Sequence, residues 1–344
     1  MLEQSVFADK AFACLLGGLI GDAMGTPTEG RDYRQIEEAY GWVEEVCCDG
    51  TDDTIMKHIL AEVLIETGGY AGRDAWAAGW LRRWDAIFGQ KVNKFFVSVL
   101  HTAHKLRRHT VPRMAALGNM PSSSSAMCIA PVGIVNACNP RQAALQAYAL
   151  ASLIHVHDVG FCQDGASAIA AAVAEAFRPQ ATTETILDAA MAYIEPLSGQ
   201  EMLERIEAAQ TLAREFPDYR LFRERLYAQA ERFFLPIACD SRETVPLALA
   251  LLQLGDGDPA RCIPYGVNLG RDADTIATMV GGIAGAYRGL GAIPDRWQRA
   301  FGAETLAEQR ALAERLCATA LAKVDEERAA GEALKQIAAL PRRV

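Results

Sequence analysis

The chain has 344 residues, of which 51% are hydrophobic and 8% aromatic, so it can bury a large core built mainly from aliphatic side chains and alanine. Its formal net charge of −9 and the lack of a strongly basic segment argue against a nucleic-acid-binding surface. No apolar run reaches the length of a membrane span, and the nine cysteines contain no Cys-x-x-Cys pair, so we expect a soluble, cytoplasmic protein that binds neither nucleic acid nor membrane.

The first predicted element is the apolar segment from Ala11 to Ile20. It resembles the core of a signal peptide, but acidic residues precede it where a signal peptide has a basic region. We therefore expect a helix of the folded protein, which ends near Gly21. The acidic residues that follow, Asp22 and Glu29, either cap and pack against this helix end or lie near an active cleft.

Helical periodicity continues along most of the chain. Apolar residues recur with helical spacing from Ile55 to Leu64 and again from Ile276 to Tyr287. Between these two segments, further helices are predicted at about 72–88, 91–107, 140–154, 164–178, 183–194, 200–215, 219–234 and 243–253. This pattern predicts a bundle of many helices without the strand–helix alternation of a parallel sheet.

Other local patterns refine this prediction. Ser198 and Glu201 have the spacing of a capping box at a helix start. The segment from Gly41 to Cys47 is the best candidate for a short strand. Because no Pro-, Gly- or Ser-rich linker separates the helices, we predict a single domain over residues 1–344, with residues 304–344 as a C-terminal helical tail.

Two pairs of carboxylates stand where a loop becomes a helix. The two sequences are Thr51-Asp52-Asp53-Thr54 and Asp272-Ala273-Asp274-Thr275. Asp and Thr are preferred N-cap residues, so capping explains either site alone. A cap needs only one carboxylate, however, and adjacent carboxylates repel each other unless a cation or a proton neutralises them. Four carboxylates suit two hard cations such as Mg²⁺ or Mn²⁺, and the residues alone leave capping and metal binding equally open.

Three blocks taken together resemble the ADP-ribosylglycohydrolase family, which includes the dinitrogenase-reductase-activating glycohydrolases and the J-type lens crystallins. The blocks are Gly18-Leu19-Ile20-Gly21-Asp22-Ala23-Met24-Gly25-Thr26-Pro27-Thr28-Glu29 and the two acidic sequences above. The resemblance covers roughly residues 11–290. It implies an all-α fold, a compact orthogonal multi-helix bundle, with a binuclear Mg²⁺ or Mn²⁺ centre at the base of a cleft.

The resemblance also implies roles for individual residues. The implied metal ligands are Thr51, Asp52, Asp53, Asp272, Asp274 and Thr275, and the candidate catalytic residues are Glu29, Asp53 and Asp272. The candidate substrate-binding residues are Asp22, Asn119, Ser123, Ser124, Ser125, Met127, His155 and Asn268. The serine run either offers hydroxyl and N–H groups to a phosphate or is a flexible polar loop.

The function that the resemblance implies is hydrolysis of a glycosidic bond at a ribose by a water molecule that two metal ions activate. The substrate is an ADP-ribosylated protein, a smaller ADP-ribosyl conjugate, or a nucleoside or other glycosyl metabolite. Cys128 favours the smaller compounds, because the family often has an arginine there that suits a phosphate. The alternative from a different class is a crystallin-like structural protein without turnover.

Overall fold

The structure is a computed structural model that describes residues 5–340, and it confirms the all-α prediction. The α-helices of these residues are α1 (Val6–Gly25), α2 (Tyr33–Tyr40), α3 (Asp52–Glu66), α4 (Arg73–Arg82), α5 (Trp84–Ile87), α6 (Val97–Arg107), α7 (Pro112–Ala115), α8 (Ala130–Val135), α9 (Pro140–Ala151), α10 (Phe161–Ala176), α11 (Thr183–Ala192), α12 (Gln200–Glu215), α13 (Tyr219–Ala228), α14 (Ala230–Phe233), α15 (Ser241–Leu254), α16 (Pro259–Val267), α17 (Ala273–Arg288), α18 (Asp295–Arg299) and α19 (Ala303–Ala339). Within residues 5–340 the only β-type pairing is an isolated antiparallel bridge between Asp32 and Gly270.

The predicted helices agree closely with the observed ones. The prediction for 200–215 matches α12 at both ends, whereas the prediction for 72–88 corresponds to two helices that meet at Arg83. Helices α2 and α16 lie in segments for which no helix was predicted. Helix α16 has only nine residues, with Asp258 as its N-cap, proline at its first position and Pro264 inside it. Such a short, proline-containing segment lacks the apolar repeat on which sequence-based prediction relies.

Two local predictions are wrong. The segment from Gly41 to Cys47 forms no strand; the backbone N–H and carbonyl of Val43 bond instead to the side-chain amide of Asn268, at 2.8 and 2.7 Å. The capping box at Ser198 is also absent. Gly199 is the N-cap residue of α12, and the Ser198 hydroxyl donates to the buried Asp164 carboxylate.

Helices α1 and α17 run antiparallel through the centre of the molecule, and both are buried along most of their length. Glycines allow their backbones to touch. A Cβ atom on Gly17 would overlap the Gly281 carbonyl, and one on Gly21 would overlap the Ala277 carbonyl. The close approach places the C-terminal end of α1 against the N-terminal end of α17, which is where the acidic residues lie.

Helix α19 closes the fold. Its N-terminal half packs against the core through residues such as Leu312 and Leu316, and its last turns, from Asp325 to Ala339, are exposed to solvent. Among the described residues, no helix has both the length and the apolar character that crossing a membrane requires.

Candidate functional site

Asp22, near the end of α1, caps helix α3 from outside. The backbone N–H of Thr51 lies 2.8 Å from both oxygens of the Asp22 carboxylate, and the Thr51 hydroxyl donates to Oδ1 at 2.8 Å. The Thr54 N–H and hydroxyl donate to Oδ2 at 3.1 and 2.6 Å. Asp22 therefore satisfies two of the free N–H groups at the start of α3. Asp52 and Asp53, in the first turn of that helix, are left without a capping role.

The second acidic sequence is joined to the Glu29 loop through the backbone. The Gly30 N–H donates to the Arg271 carbonyl at 2.7 Å, and the Arg271 N–H donates to the Arg31 carbonyl at 2.8 Å. These hydrogen bonds accompany the bridge between Asp32 and Gly270. As a result, Glu29 is held beside the start of α17, which carries Asp274 in its first turn.

The carboxylates of the three segments converge in two overlapping groups. Oxygens of Asp22, Asp53 and Asp274 all lie within 4.8 Å of one another, and so do oxygens of Glu29, Asp272 and Asp274. Asp274 belongs to both groups. The four aspartates are buried, whereas the Glu29 side chain is 38% exposed. The predicted clusters, which lie more than 200 residues apart in the sequence, are thus brought together in space.

Burial and mutual repulsion make ionisation of these carboxylates unfavourable. Burial, followed by the nearby charge of Asp22, raises the pKa of Asp52 and of Asp53 well above the usual value of 3.8. Burial, followed by the charges of Asp272 and Glu29, likewise raises the pKa of Asp274. Burial and the charge of Glu29 raise the pKa of Asp272 to about 7. The site therefore needs additional positive charge near neutral pH.

One positive charge lies behind the cluster. Lys57 is buried one helical turn after Asp53, and its ammonium donates to the Leu15 carbonyl at 3.3 Å. Burial lowers the pKa of Lys57, which the charges of Asp22, Cys14 and Asp53 raise in part. One ammonium cannot balance six carboxyl groups, so the site retains an excess of acidic groups.

The residues present fit two hard cations. Their side chains offer only oxygen donors, which suit Mg²⁺ and Mn²⁺. Asp53 Oδ1 is buried and has no hydrogen-bond partner within residues 5–340, so this oxygen is available to coordinate a cation. The predicted ligands Asp52, Asp53, Asp272, Asp274 and Thr275 all line one cleft, whereas Thr51 is not among its lining residues and its hydroxyl donates to Asp22.

The cleft above the carboxylates has a volume of about 290 Å³. Its described lining residues are Glu29, Asp52, Asp53, Asn93, Lys94, Phe95, Phe96, Val97, Ser123, Ser124, Met127, Cys239, Asp272, Asp274 and Thr275. Among them Lys94 carries the only positive charge, and its ammonium donates to Glu29 Oε2 at 2.8 Å. The cleft thus combines an acidic floor with a partly aromatic wall.

The serine loop forms part of the opposite wall. The Ser123 hydroxyl donates to Asp272 Oδ2 at 3.1 Å, and Ser124 and Met127 also line the cleft. The other two serines of the run are buried. Ser122 Oγ and Ser125 Oγ lie 2.9 and 3.1 Å from the two ring nitrogens of His155. Burial lowers the pKa of His155 to about 3, so its ring is neutral and braces the loop.

Five predicted substrate-binding residues do not line the cleft. Ser125 and His155 bond to each other beneath the serine loop. The Asn119 amide donates to the Ile154 carbonyl and the Thr102 hydroxyl, both at 2.8 Å, and so joins buried segments. Asn268 holds Val43, as described above. Each has its polar atoms used inside the fold, so these residues support the site from behind. Asp22 likewise acts through α3.

Three residues that no sequence pattern indicated, Lys94, Phe95 and Phe96, line the cleft from the segment before α6. A residue pair so far apart in the chain as Lys94 and Glu29 leaves no pattern in one sequence.

Cys128 stands where the family often has an arginine, but its side chain does not line the cleft. It is fully buried, and its thiol lies 3.4 Å from the Ser124 carbonyl.

Comparison with known proteins identifies the class of fold and then the family. A solved structure described as an ADP-ribosylglycohydrolase-related protein complex matches 91% of this chain and 99% of its own, with a TM-score of 0.69 and 22% identity, which shows the same fold. The sequence model of the ADP-ribosylglycohydrolase family matches residues 3–328. The chain therefore belongs to the ADP-ribosylglycohydrolase family.

Two relatives illustrate the breadth of the match. The uncharacterized protein YegU of Escherichia coli (strain K12) is 28% identical over 314 residues, which cover 83% of this chain and 89% of YegU. The ADP-ribosylhydrolase ARH3 of Homo sapiens is 27% identical over 329 residues, with 83% of this chain and 87% of ARH3 covered. The similarity to both proteins extends over most of each chain.

Proposed function

We propose that this protein is a glycohydrolase that uses two divalent cations, Mg²⁺ or Mn²⁺, to cleave a glycosidic bond at a ribose. The observation that carries the proposal is the convergence on one cleft of five carboxylates, those of Glu29, Asp52, Asp53, Asp272 and Asp274, with a buried oxygen of Asp53 left unpartnered among the described residues. Membership of the family and the similarity to ARH3 support the same chemistry.

The residues that would hold the cations are Thr51, Asp52, Asp53, Asp272, Asp274 and Thr275. When bound, two such ions would supply Lewis acidity, which favours ionisation of a water molecule and attracts hydroxyl oxygens of a sugar. Asp22 is better suited to positioning, because four donor groups of α3 already occupy its two oxygens. It fixes the first turn of α3 and with it the direction of Asp52 and Asp53.

The remaining chemistry belongs to side chains at the cleft. Glu29 is the partly exposed carboxylate of the group and can orient a water molecule and accept its proton. Lys94 holds the Glu29 carboxylate in place through its hydrogen bond. The acidic floor stabilises the positive charge that develops on the sugar as the leaving group departs. Phe95 and Phe96 reduce the access of bulk water.

For the substrate, ADP-ribosyl conjugates and smaller ribosides are both candidates. The family and ARH3, an ADP-ribosylhydrolase by name, favour an ADP-ribosyl compound or an ADP-ribosylated protein. The cleft volume of about 290 Å³ and the occupation of its single described cation, Lys94, by Glu29 favour a smaller riboside or nucleoside. Phe95 and Phe96 offer apolar surface to a base in either case.

The test compares hydrolysis of ADP-ribosylated protein, ADP-ribosyl-arginine and simple ribosides in Mg²⁺, in Mn²⁺ and after chelation. We expect turnover of at least one substrate only with metal.

Asp274→Asn removes a carboxylate common to both groups, so it should abolish turnover and two-site metal binding in calorimetry. Asp49→Asn is the matched control, because Asp49 is 83% exposed and bonded to Lys91. Metal-independent turnover, or full activity of Asp274→Asn, would refute the mechanism. A folded protein that binds metal but cleaves nothing would favour the crystallin-like alternative.

A further inference from the structure

A second cavity lies at the opposite end of α1 from the acidic cleft. Its volume is about 350 Å³, and it is enclosed by the start of α1, the loop between α8 and α9, the end of α10 and the middle of α19. Lys10, which lines it, precedes Asp22 by twelve residues, so the two sites are about 18 Å apart along the helix. The cavity therefore shares no residue with the proposed active site.

The wall of this cavity is mostly apolar. Phe7, Val135, Phe177 and Leu321 are among its lining residues. A volume of this size is within the range of small-molecule sites, which are typically apolar with a few well-placed polar groups. The cavity is therefore suited to a ligand whose body is apolar.

Two lysines among the lining residues, Lys10 and Lys323, suit the cavity to a ligand with an anionic group. The Lys323 side chain is only 3% exposed, yet within residues 5–340 its ammonium has one hydrogen-bond acceptor, Asn136 Oδ1, and a carboxylate of Glu327 at 3.9 Å. The Lys10 ammonium donates to the Ala176 carbonyl at 2.7 Å. Each ammonium has three donors, so both can donate further. The Lys323 ammonium also lies 5.0 Å from the centre of the Tyr70 ring, and burial lowers the pKa of both Lys10 and Lys323.

We propose that this cavity binds a small molecule with an apolar body and a carboxylate end, and that Lys323 and Lys10 bind the carboxylate. The apolar wall covers the hydrocarbon part, and the ammonium groups supply charge-assisted hydrogen bonds to the anionic end. Glu327 lies at the rim and is partly exposed, so its side chain can turn toward solvent when the ligand carboxylate arrives.

Octanoate and octanol are the probes, since they differ in charge at similar length. Calorimetry with the full chain should show one octanoate site and at least about tenfold weaker binding of octanol, the effect of losing a charge-assisted hydrogen bond. Lys323→Met should weaken octanoate binding about tenfold and leave octanol binding unchanged. Lys335→Met is the matched control, because this lysine lies on the same helix and is 76% exposed.

Since replacement of a buried lysine can disturb packing, Lys10→Met and a thiol measurement provide independent tests. Cys138 lines the cavity and is exposed, as is Cys47, which lies elsewhere. Octanoate should slow the reaction of Cys138 with a thiol reagent and leave that of Cys47 unchanged. Equal affinity for the two probes, or unaltered binding in both lysine variants, would overturn the proposal. So would a lack of octanoate binding to the full chain.

Discussion

Arg271 has a left-handed backbone conformation, with φ of +64°, directly before Asp272. Glycine is the residue that adopts such a conformation without strain, whereas an arginine there is strained. Here the side chain compensates. Its guanidinium donates to both oxygens of Glu243, at 2.7 and 2.8 Å, and also to the Leu235 carbonyl. Because the Glu243 side chain is fully buried, this ion pair fixes the loop that carries the second acidic sequence.

Arg271→Gly removes the strain but leaves Glu243 without its cation. An unpaired buried charge costs more than left-handed strain, so we expect a net loss of about 2 kcal/mol in the free energy of unfolding. Arg271→Ala keeps the strain and should lose about 1 kcal/mol more. Urea denaturation of the parent protein and the two variants measures the order of their free energies of unfolding. If Arg271→Gly is as stable as the parent, or if Arg271→Ala is the more stable variant, the compensation argument fails.

At the scale of elements, the contact between α1 and α17 determines the site. Gly21 and Gly25 permit backbone contact next to Asp22 and Asp274, and the two helix ends meet because their axes can approach closely. The Gly-x-x-Gly-Asp-Ala-x-Gly pattern of the sequence therefore has a packing explanation. Its glycines bring the aspartates of three helices together, and its aspartate caps the third helix, α3.

Gly21→Ala tests this packing. Its added Cβ would overlap the Ala277 backbone, which forces the helices apart and should cost about 1–3 kcal/mol of stability. It should also weaken Mn²⁺ binding in calorimetry, since Asp22 and α3 move away from α17. Gly282→Ala, in the partner helix α17, is the control. A Cβ there meets Cys14 O at 3.7 Å and Ala130 Cβ at 3.9 Å, so its effect should range from neutral to a gain of about 1 kcal/mol. Equal effects of the two variants would contradict the model of a close helix contact.

At the scale of the whole molecule, the helical class and most long helices could be predicted because they follow from local apolar periodicity. The acidic clusters could be predicted because adjacent carboxylates are unusual for simple caps. The role of Asp22 could not, since the residues that it caps are 29 and 32 positions away in the chain. The pairing of Lys94 with Glu29 and the burial of His155 likewise depend on tertiary contacts that one sequence does not reveal.

The buried carboxylates should make stability depend on pH when no metal is bound. Below about pH 4, Asp272 is protonated in both the folded and the unfolded chain, so its contribution to stability is fully present. Between this pH and its folded pKa of about 7, the unfolded chain ionises more readily than the folded one, and stability falls. The raised pKa values of Asp52, Asp53 and Asp274 act in the same direction. The melting temperature in chelator should therefore decrease from pH 5 to pH 8, and less steeply in Asp272→Asn.

Divalent cations should reverse this trend. They compete with protons for the same oxygens, and their binding to the folded chain adds stability that increases with the ratio of free metal to its dissociation constant, about 2.7 kcal/mol at a hundredfold ratio. Because the carboxylates are more fully ionised at pH 8, Mg²⁺ or Mn²⁺ should raise the melting temperature more at pH 8 than at pH 5. Differential scanning calorimetry at both pH values, with metal and with chelator, measures the difference.

Na⁺ at matched ionic strength controls for general screening, which also reduces repulsion between carboxylates. A metal effect that is equal at both pH values, or that Na⁺ reproduces, would show that the cluster is stabilised by screening and protonation and not by bound divalent ions.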